Sequence, residues 1–400
     1  MSAEARGSDL DARVWDAVVV GAGPAGALFA FELGRAGAEV LLLDRQAFPR
    51  WKVCGCCLSP GTQSVLHEAG LARILDEVGT VPLHTLRLAG WSAVADIMLG
   101  PSVAMSRSAL DAALVRAAAS VGVTFVAPAR ARLGPCHAGH RTLFVEIAGV
   151  VTDVRARVVI AADGLGSPLL AEALHGGRDA GIAPWSRIGF GALFPTATPG
   201  YPAGVIHMAV GSEGYVGLVR LEDGTLDVAG ALDPAVLGGG TRPEAAVRGL
   251  LERAGFPALD GTPTEGWRGT PRLTRRATTR GADRLLAVGD ASGYVEPFTG
   301  EGMAWALSGA RTLAPIALEG IRDWRPELVR AWDRRYEETI GAAARLCRGL
   351  SWALRRPALA RRGLRALSRL PFLAAPFVAR AARSPSRPTT VLATPPRRTP

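Results

Sequence analysis

The segment "RWKVCGCCLSPG", residues 50–61, sets three of the chain's five cysteines, Cys54, Cys56 and Cys57, beside its only lysine, Lys52. Thiolates serve as nucleophiles, metal ligands or redox partners, so each chemistry has to be weighed. Structural zinc takes four ligands, usually as two spaced pairs, whereas Cys136 and Cys347 are solitary and the histidines form no matching pair; no metal is expected. Cys54 and Cys57 have C-x-x-C spacing, but the βαβ surroundings of a thioredoxin-like site are absent around them. Two readings stay open: small side chains packing a loop, or a thiol facing a reactive group. Lys52 could lower a neighbouring thiol's pKa or receive a substrate or phosphate oxygen.

A second constellation lies upstream. "DAVVV" reads as a strand buried on both faces, "GAGPAG" turns into a helix running to about Gly37, and "EVLLLD" is a second buried strand. Gly21 permits the tight turn, Gly23 lets the backbone approach a pyrophosphate, and Gly26 lets helix and strand pack closely. The helix opening at Pro24 and Ala25 offers free N–H groups to an anion. Asp44 ends the second strand eighteen residues after Gly26, near the spacing at which a carboxylate accepts from a ribose, and Arg45 follows it. A glycine-rich turn in this strand-to-helix context predicts dinucleotide binding.

The elements that position these residues can be traced onward. Ser59 and Pro60 read as a helix start, with the helix extending to about Leu75. "SRSALDAALVRAAASVG" is helical, and "VTFVAPARARL", "RTLFVEIAG" and "VTDVRARVVIAAD" read as strands of a meander. Between Arg187 and Asp233 the pattern becomes antiparallel sheet, with a hairpin around Asp223 and Gly224. Thr241 and Glu244 suggest a capping box for a helix that ends at Gly255. A buried strand then runs into Gly289 and Asp290, and a further helix starts near Gly300 to Gly302.

Together, "GAGPAG" with Asp44, "VVIAADGLGS" with Asp163 and Gly164, and "GDASGYVEPFTGEG" with Asp290 resemble single-component FAD oxidoreductases of the aromatic hydroxylase and geranylgeranyl reductase superfamily. The likeness spans roughly residues 14 to 340, and "CGCCLSP" and "PFTGEGM" resemble the reductase branch. It implies an α/β fold: a Rossmann-like FAD-binding domain of glutathione-reductase type, an inserted antiparallel-sheet substrate domain, and a helical C-terminal tail. The boundaries expected are 14–82, 103–170 and 272–342 for the FAD part, 83–102 and 171–271 for the substrate part, and 343–400 for the tail. By the same resemblance Arg107, Asp163, Gly164, Gly289, Asp290, Pro297, Gly300, Gly302 and Met303 join the fingerprint residues around FAD, although Asp163 could equally close a turn. Cys54 matches the reductases' loop cysteine, which favours a thiol facing the flavin.

That resemblance implies an FAD-dependent oxidoreductase. The reading set first is a monooxygenase that hydroxylates an apolar or aromatic metabolite, with dioxygen activated at flavin C4a. A reductase of an isoprenoid or other double bond is the alternative, and a flavin-binding electron-transfer protein is the third reading. No second GxGxxG unit is present, so NADH or NADPH would dock transiently as reductant. W-x-W-x-I-P, found in flavin-dependent halogenases, does not occur, and where the prenyl reductases have Y-x-W-x-F-P this chain has "GYVGLVR". His207 and Tyr215, on the substrate sheet, could face substrate.

The 400 residues are 48% hydrophobic and carry a net charge of +10, but thirteen arginines and no acidic residue fall in 341–400, which leaves the first 340 residues at −3. A basic tail on a mildly acidic body argues against nucleic acid as partner. No secretory signal or membrane span is read, so a cytoplasmic location is expected. In the tail, leucines and arginines alternate at near-helical spacing. Residues 343–383 could rest on anionic lipid, or could pack on the FAD domain with their arginines solvated. Beyond Arg383 disorder is expected.

Overall fold

A computed structural model describes residues 10–175, 181–296, 298 and 300–381. Two eight-stranded sheets organise it. In the first, five strands run parallel in the order Leu285–Ala287, Val150–Ala161, Val14–Val20, Val40–Leu43 and Thr124–Val126. Their runs of valine, leucine and isoleucine suit strands covered on both faces. Ala17 pairs with Val40 on one side and Val158 on the other, which fixes the register around the first strand. The helix Pro24–Arg35 packs against the helices Arg107–Ser120 and Gly302–Arg322 over one face, and Leu28, Phe29, Leu33, Leu114 and Leu307 form the core between them. A meander, Arg130–Cys136, Arg141–Ile147 and Val150–Ala161, extends the other side.

The second sheet runs Glu265–Arg272, Ile188–Phe194, Leu226–Leu232, Gly214–Arg220, Val205–Val210, Val81–Gly90, Ala93–Ala104 and Cys57–Leu58. Alternation along each strand divides it into two faces. The outer face carries Phe190, Phe194, Val216, Leu218 and Val228 and is covered by the helix Pro243–Ala254 through Val247, Leu250 and Leu251. The inner face, turned toward the FAD-binding half, carries Gly189, Gly191, Tyr215, Gly217, Asp227, Ala229 and Ala231.

Several local expectations change. The helix from Ser59 is two helices, Pro60–Glu68 and Arg73–Val78, because Gly70 at φ +79 breaks it; Ser59 does cap the first, accepting from Thr62 N. The capping box at Thr241 is not made: Arg242 occupies the cap position without a side-chain bond, while Gly255 ends the helix in the left-handed region as read. Thr124–Val126 leaves the meander to become the last parallel strand. The second sheet, expected to be antiparallel, is mixed, since Val205–Val210 runs parallel to Val81–Gly90. Cys57 and Leu58 form its edge strand against Val103 and Ala104, which anchors the cysteine loop to this sheet.

The tail is helical over Ala342–Leu354, Pro357–Arg369 and Ala375–Ala381. Its final stretch, 382–400, lies outside the described residues, as does the predicted cofactor contact Pro297.

Candidate cofactor and active site

The fingerprint turn is held by contacts that only glycine allows. Gly21 sits at φ +108, and a Cβ there would strike the carbonyl of Ala162; a Cβ on Gly26 would strike the carbonyl of Gly21 and come within 2.9 Å of Ala162 Cβ. Gly289, at φ +66, is likewise pressed on the turn, its Cβ position 2.7 Å from Ala25 Cβ. Gly23 is different, with only Arg107 Nη2 at 3.7 Å and Arg50 Nη2 at 4.0 Å from its Cβ position. No side chain caps the helix starting at Pro24. Free N–H groups and two guanidinium groups therefore face the same small volume, the donor set a pyrophosphate needs.

Asp44 is buried behind this turn. Its Oδ2 accepts from Ala22 N at 2.9 Å and Arg50 Nη2 at 3.1 Å, and its Oδ1 accepts from Gln46 N at 2.9 Å. One lone pair of Oδ1 is left, enough for a ribose hydroxyl. Asp111 has no solvent exposure and binds Arg107 through two bonds of 2.9 and 2.8 Å and Arg50 at 3.1 Å. This buried carboxylate holds both arginines toward Gly23. Sequence reading missed Arg50 and Asp111. Asp111 had left a signal, since "RSALD" sets it four residues after Arg107 on one helix face. Arg45, by contrast, is exposed, and its charge acts on Asp163.

Asp163 accepts from Ser167 Oγ at 2.8 Å and Leu169 N at 3.0 Å, so its carboxylate closes the turn into the helix Pro168–Ala173. Burial pushes its pKa up to about 6 against those hydrogen bonds. Asp290 is half-buried, and its carboxylate has no hydrogen bond or ion pair among the described residues. Burial raises its pKa, with Lys52 and Arg107 opposing. That orphaned carboxylate at the end of a parallel strand fits a ribityl hydroxyl. Lys52 is an exposed residue whose Nζ reaches the same cleft, 3.6 Å from the Cβ position of Gly164, where loss of water around the ammonium first and Arg107 second lower its pKa. The long helix begins at Gly302, just after Gly300 at φ +74, with Met303 buried at its start and no side-chain cap. Its free N–H groups open on a crevice lined by Gly289, Asp290, Gly293, Tyr294 and Trp305.

The cysteine loop crosses from this cleft to the inner face of the substrate sheet. Val53 lies 3.1 Å from the Cβ position of Gly191, Arg268 stacks on Trp51, and Met105 N donates to Cys56 O. The Cys56 thiol beside it and, against burial, the Arg107 charge bring Cys54 down to about 6, while the Cys56 S–H donates to Cys54 O at 3.6 Å. The Cys54 sulfur and burial hold Cys56 up. Burial also raises Cys57.

Asp227, another residue missed from sequence, is 1% exposed, and neither oxygen has a hydrogen-bond partner among the described residues. Burial first and the nearby Cys54 second lift its pKa well above the ordinary range. The described residues hold no cluster able to ligate a metal, and no disulfide joins any of the five cysteines.

The two candidate substrate residues part company. Tyr215 lies on the inner face, edge-on to Phe298 at 5.0 Å, above the buried pair Arg187 and Glu296. His207 lies on the outer face, between Tyr201 and Phe256, where burial lowers its pKa to about 4. Its pairing with Leu218 turns it away from the flavin turns, so it is not at the site.

Residues 14–333 match the family described as FAD binding domain. The chain belongs to that family. It is an FAD-dependent oxidoreductase in fold and cofactor site. Among curated relatives, a menaquinone reductase of Mycobacterium tuberculosis is 29% identical over 370 residues, 86% of this chain and 84% of the relative. Digeranylgeranylglycerophospholipid reductase 1 of Methanopyrus kandleri is 31% identical over 353 residues, 81% and 86% of the two chains. Among solved structures, a flavin-dependent brominase aligns with a TM-score of 0.74 at 18% identity, over 92% of this chain and 94% of that one. A halogenase in complex with phloroglucinol and FAD aligns at 0.72 and 17%, over 92% and 85%. These structural likenesses speak to the fold.

Proposed function

We propose that this flavoprotein reduces a carbon–carbon double bond in a long apolar molecule of isoprenoid type. The observation that carries the reading is the thiol and carboxyl cluster of Cys54, Cys56 and Asp227, set on the inner sheet face beside the FAD cleft. Saturating a double bond needs a hydride and a proton. FAD, when bound, supplies the hydride chemistry, and NADH or NADPH would be its transient reductant. The chain supplies the rest. Arg107 holds the Cys54 sulfur near its charge, and the buried Cys56 thiol and Asp227 carboxyl close to it are the acids from which the proton on carbon would come, each left as its conjugate base until solvent reprotonates it. On the inner face Tyr215, Phe298 and Leu273 form an apolar lining suited to such a chain. Two relatives aligned over four-fifths of this chain are named menaquinone reductase and digeranylgeranylglycerophospholipid reductase, which supports a reductase acting on a molecule of this kind.

The test is anaerobic turnover of a polyprenyl lipid with NADH or NADPH, read by mass spectrometry as the gain of two hydrogens. Cys54→Ser should keep its FAD and lose about 10- to 100-fold in turnover, the range of a proton-transfer group. Turnover that instead requires dioxygen and adds oxygen to the product would replace this reading with the monooxygenase expected from the sequence.

A further inference from the structure

The C-terminal helices have two unlike sides. On the inside, Leu364 is buried with Leu88, Val210, Tyr215 and Leu273, while Leu354 and Leu367 pack alongside. Arg355 reaches Asp233 at 2.6 Å, and Ser351 Oγ donates to Glu296 O at 3.4 Å. The helices are thereby clamped onto the end of the inner face and the turn before Gly302. The alternative that they pack on the body thus holds for one side only.

The outside is built otherwise. Phe372 is 67% exposed, and Leu370, Leu373, Phe377 and Leu359 are each exposed by two-fifths or more. Between them Arg361, Arg362, Arg365 and Arg369 are exposed and have no ion pair among the described residues. No acidic residue occurs from 341 to the end. A water-facing helix mixes both charges and hides its aromatic rings, so this side lacks the composition of a solvated surface.

We propose that the outer side of Pro357–Ala381 docks on an anionic lipid bilayer, with Leu370, Phe372, Leu373 and Phe377 entering the headgroup boundary and the arginines meeting lipid phosphates. Cations around an apolar wedge fit lipid, whereas nucleic acid would leave the wedge in water. No described helix is long and apolar enough to cross a membrane, so the contact is peripheral. The inference stands without the reductase reading, although docking here would set the apolar inner face one helix layer from the lipid.

The experiment is sedimentation of the full chain with vesicles of phosphatidylcholine alone or mixed with phosphatidylglycerol, at low and high salt. Binding to the anionic vesicles should exceed binding to the neutral ones at least about tenfold at low salt and fall at high salt. Phe372→Ser with Phe377→Ser should weaken it at least about tenfold. Arg361→Gln, Arg362→Gln and Arg365→Gln together should weaken it and remove most of the salt dependence. Flavin absorbance and thermal midpoint should be unchanged in both variants, since these side chains are exposed. Protein left in the supernatant with anionic vesicles, or variants that bind as well as the parent, would overturn the proposal. So would a parent that is dimeric by light scattering and becomes monomeric in the phenylalanine variant, because the face would then belong to a second copy.

Discussion

The fingerprint turn and the inner face of the second sheet are built by opposite means. At the turn, backbone does the work: Gly21 and Gly26 are pressed on carbonyl groups, and the ligand would meet main-chain N–H groups. On the sheet, side chains do it, and what a strand offers depends on which of two faces each residue takes. A backbone site tolerates almost no substitution and announces itself in residue type. A side-chain site can be rebuilt at each position and reveals itself only once register is known.

The sharpest way to break this contrast is at Gly26. In Gly26→Val the new side chain meets the Gly21 carbonyl, which cannot move without opening the turn, and overpacking of this kind costs about 1–3 kcal/mol or more. Flavin absorbance per protein should fall to below about a tenth of the parent's. Full flavin content would mean that the turn does not form the site. One step down in effect are the arginines. Arg107→Leu leaves the buried Asp111 with Arg50 alone and should cost about 3 kcal/mol in denaturant unfolding, the lower end for a broken buried pair. Arg107→Leu combined with Asp111→Leu should cost less than the single change. A larger cost for the double variant would show that the bond from Asp111 to Arg50 outweighs the strain of a half-paired carboxylate.

What the sequence made legible follows the same division. Gly21, Gly23, Gly26 and Asp44 lie within 24 residues and obey one local geometry, so they could be read directly, as could the Ser59 cap and the hairpin turn at Asp223 and Gly224. Arg50 could not, because its partner Asp111 is 61 residues away. Asp227 sits in "LDVAGAL", where a lone acid in an apolar strand gives no hint that a cysteine loop will cover it. His207 was misplaced for a related reason. "VIHMAV" is apolar on both faces, so no polar alternation tells which way the histidine turns, and only the pairing with Leu218 decides. The capping box failed because Thr241 and Glu244 fit the pattern while Pro243 started the helix one residue later than the box requires.

Asp227 gives a smaller and more specific test of the inner face. Its folded pKa is raised, so the folded chain holds a proton that the unfolded chain has released by neutrality. The stability tied to that proton is complete below the ordinary carboxylate range and declines as pH rises toward the folded value. Asp227→Asn removes the titration. It should raise the unfolding midpoint by a few degrees near pH 8, about 1–2 kcal/mol, and by less near pH 4. Under the proposed proton path it should also slow turnover, although it keeps flavin. A variant that is less stable at high pH would mean that the acid is ionised and paired in the fold.

The smallest effect belongs to the outer face. His207→Phe keeps a ring between Tyr201 and Phe256, and it removes a buried Nδ1 that has no partner among the described residues. Because the folded pKa of His207 is lowered to about 4, the unfolded chain protonates first as pH falls below the ordinary value of about 6.5. Stability is therefore full above that value and is lost progressively on the way down to the folded pKa. The phenylalanine variant should show a flatter acid limb in thermal unfolding from about pH 6.5 to about pH 4, and turnover within about twofold of the parent, as expected of a substitution away from the site. A tenfold loss of turnover at unchanged stability would place function on the face turned from the flavin, and a sheet whose two sides both reach substrate could not be divided as it is here.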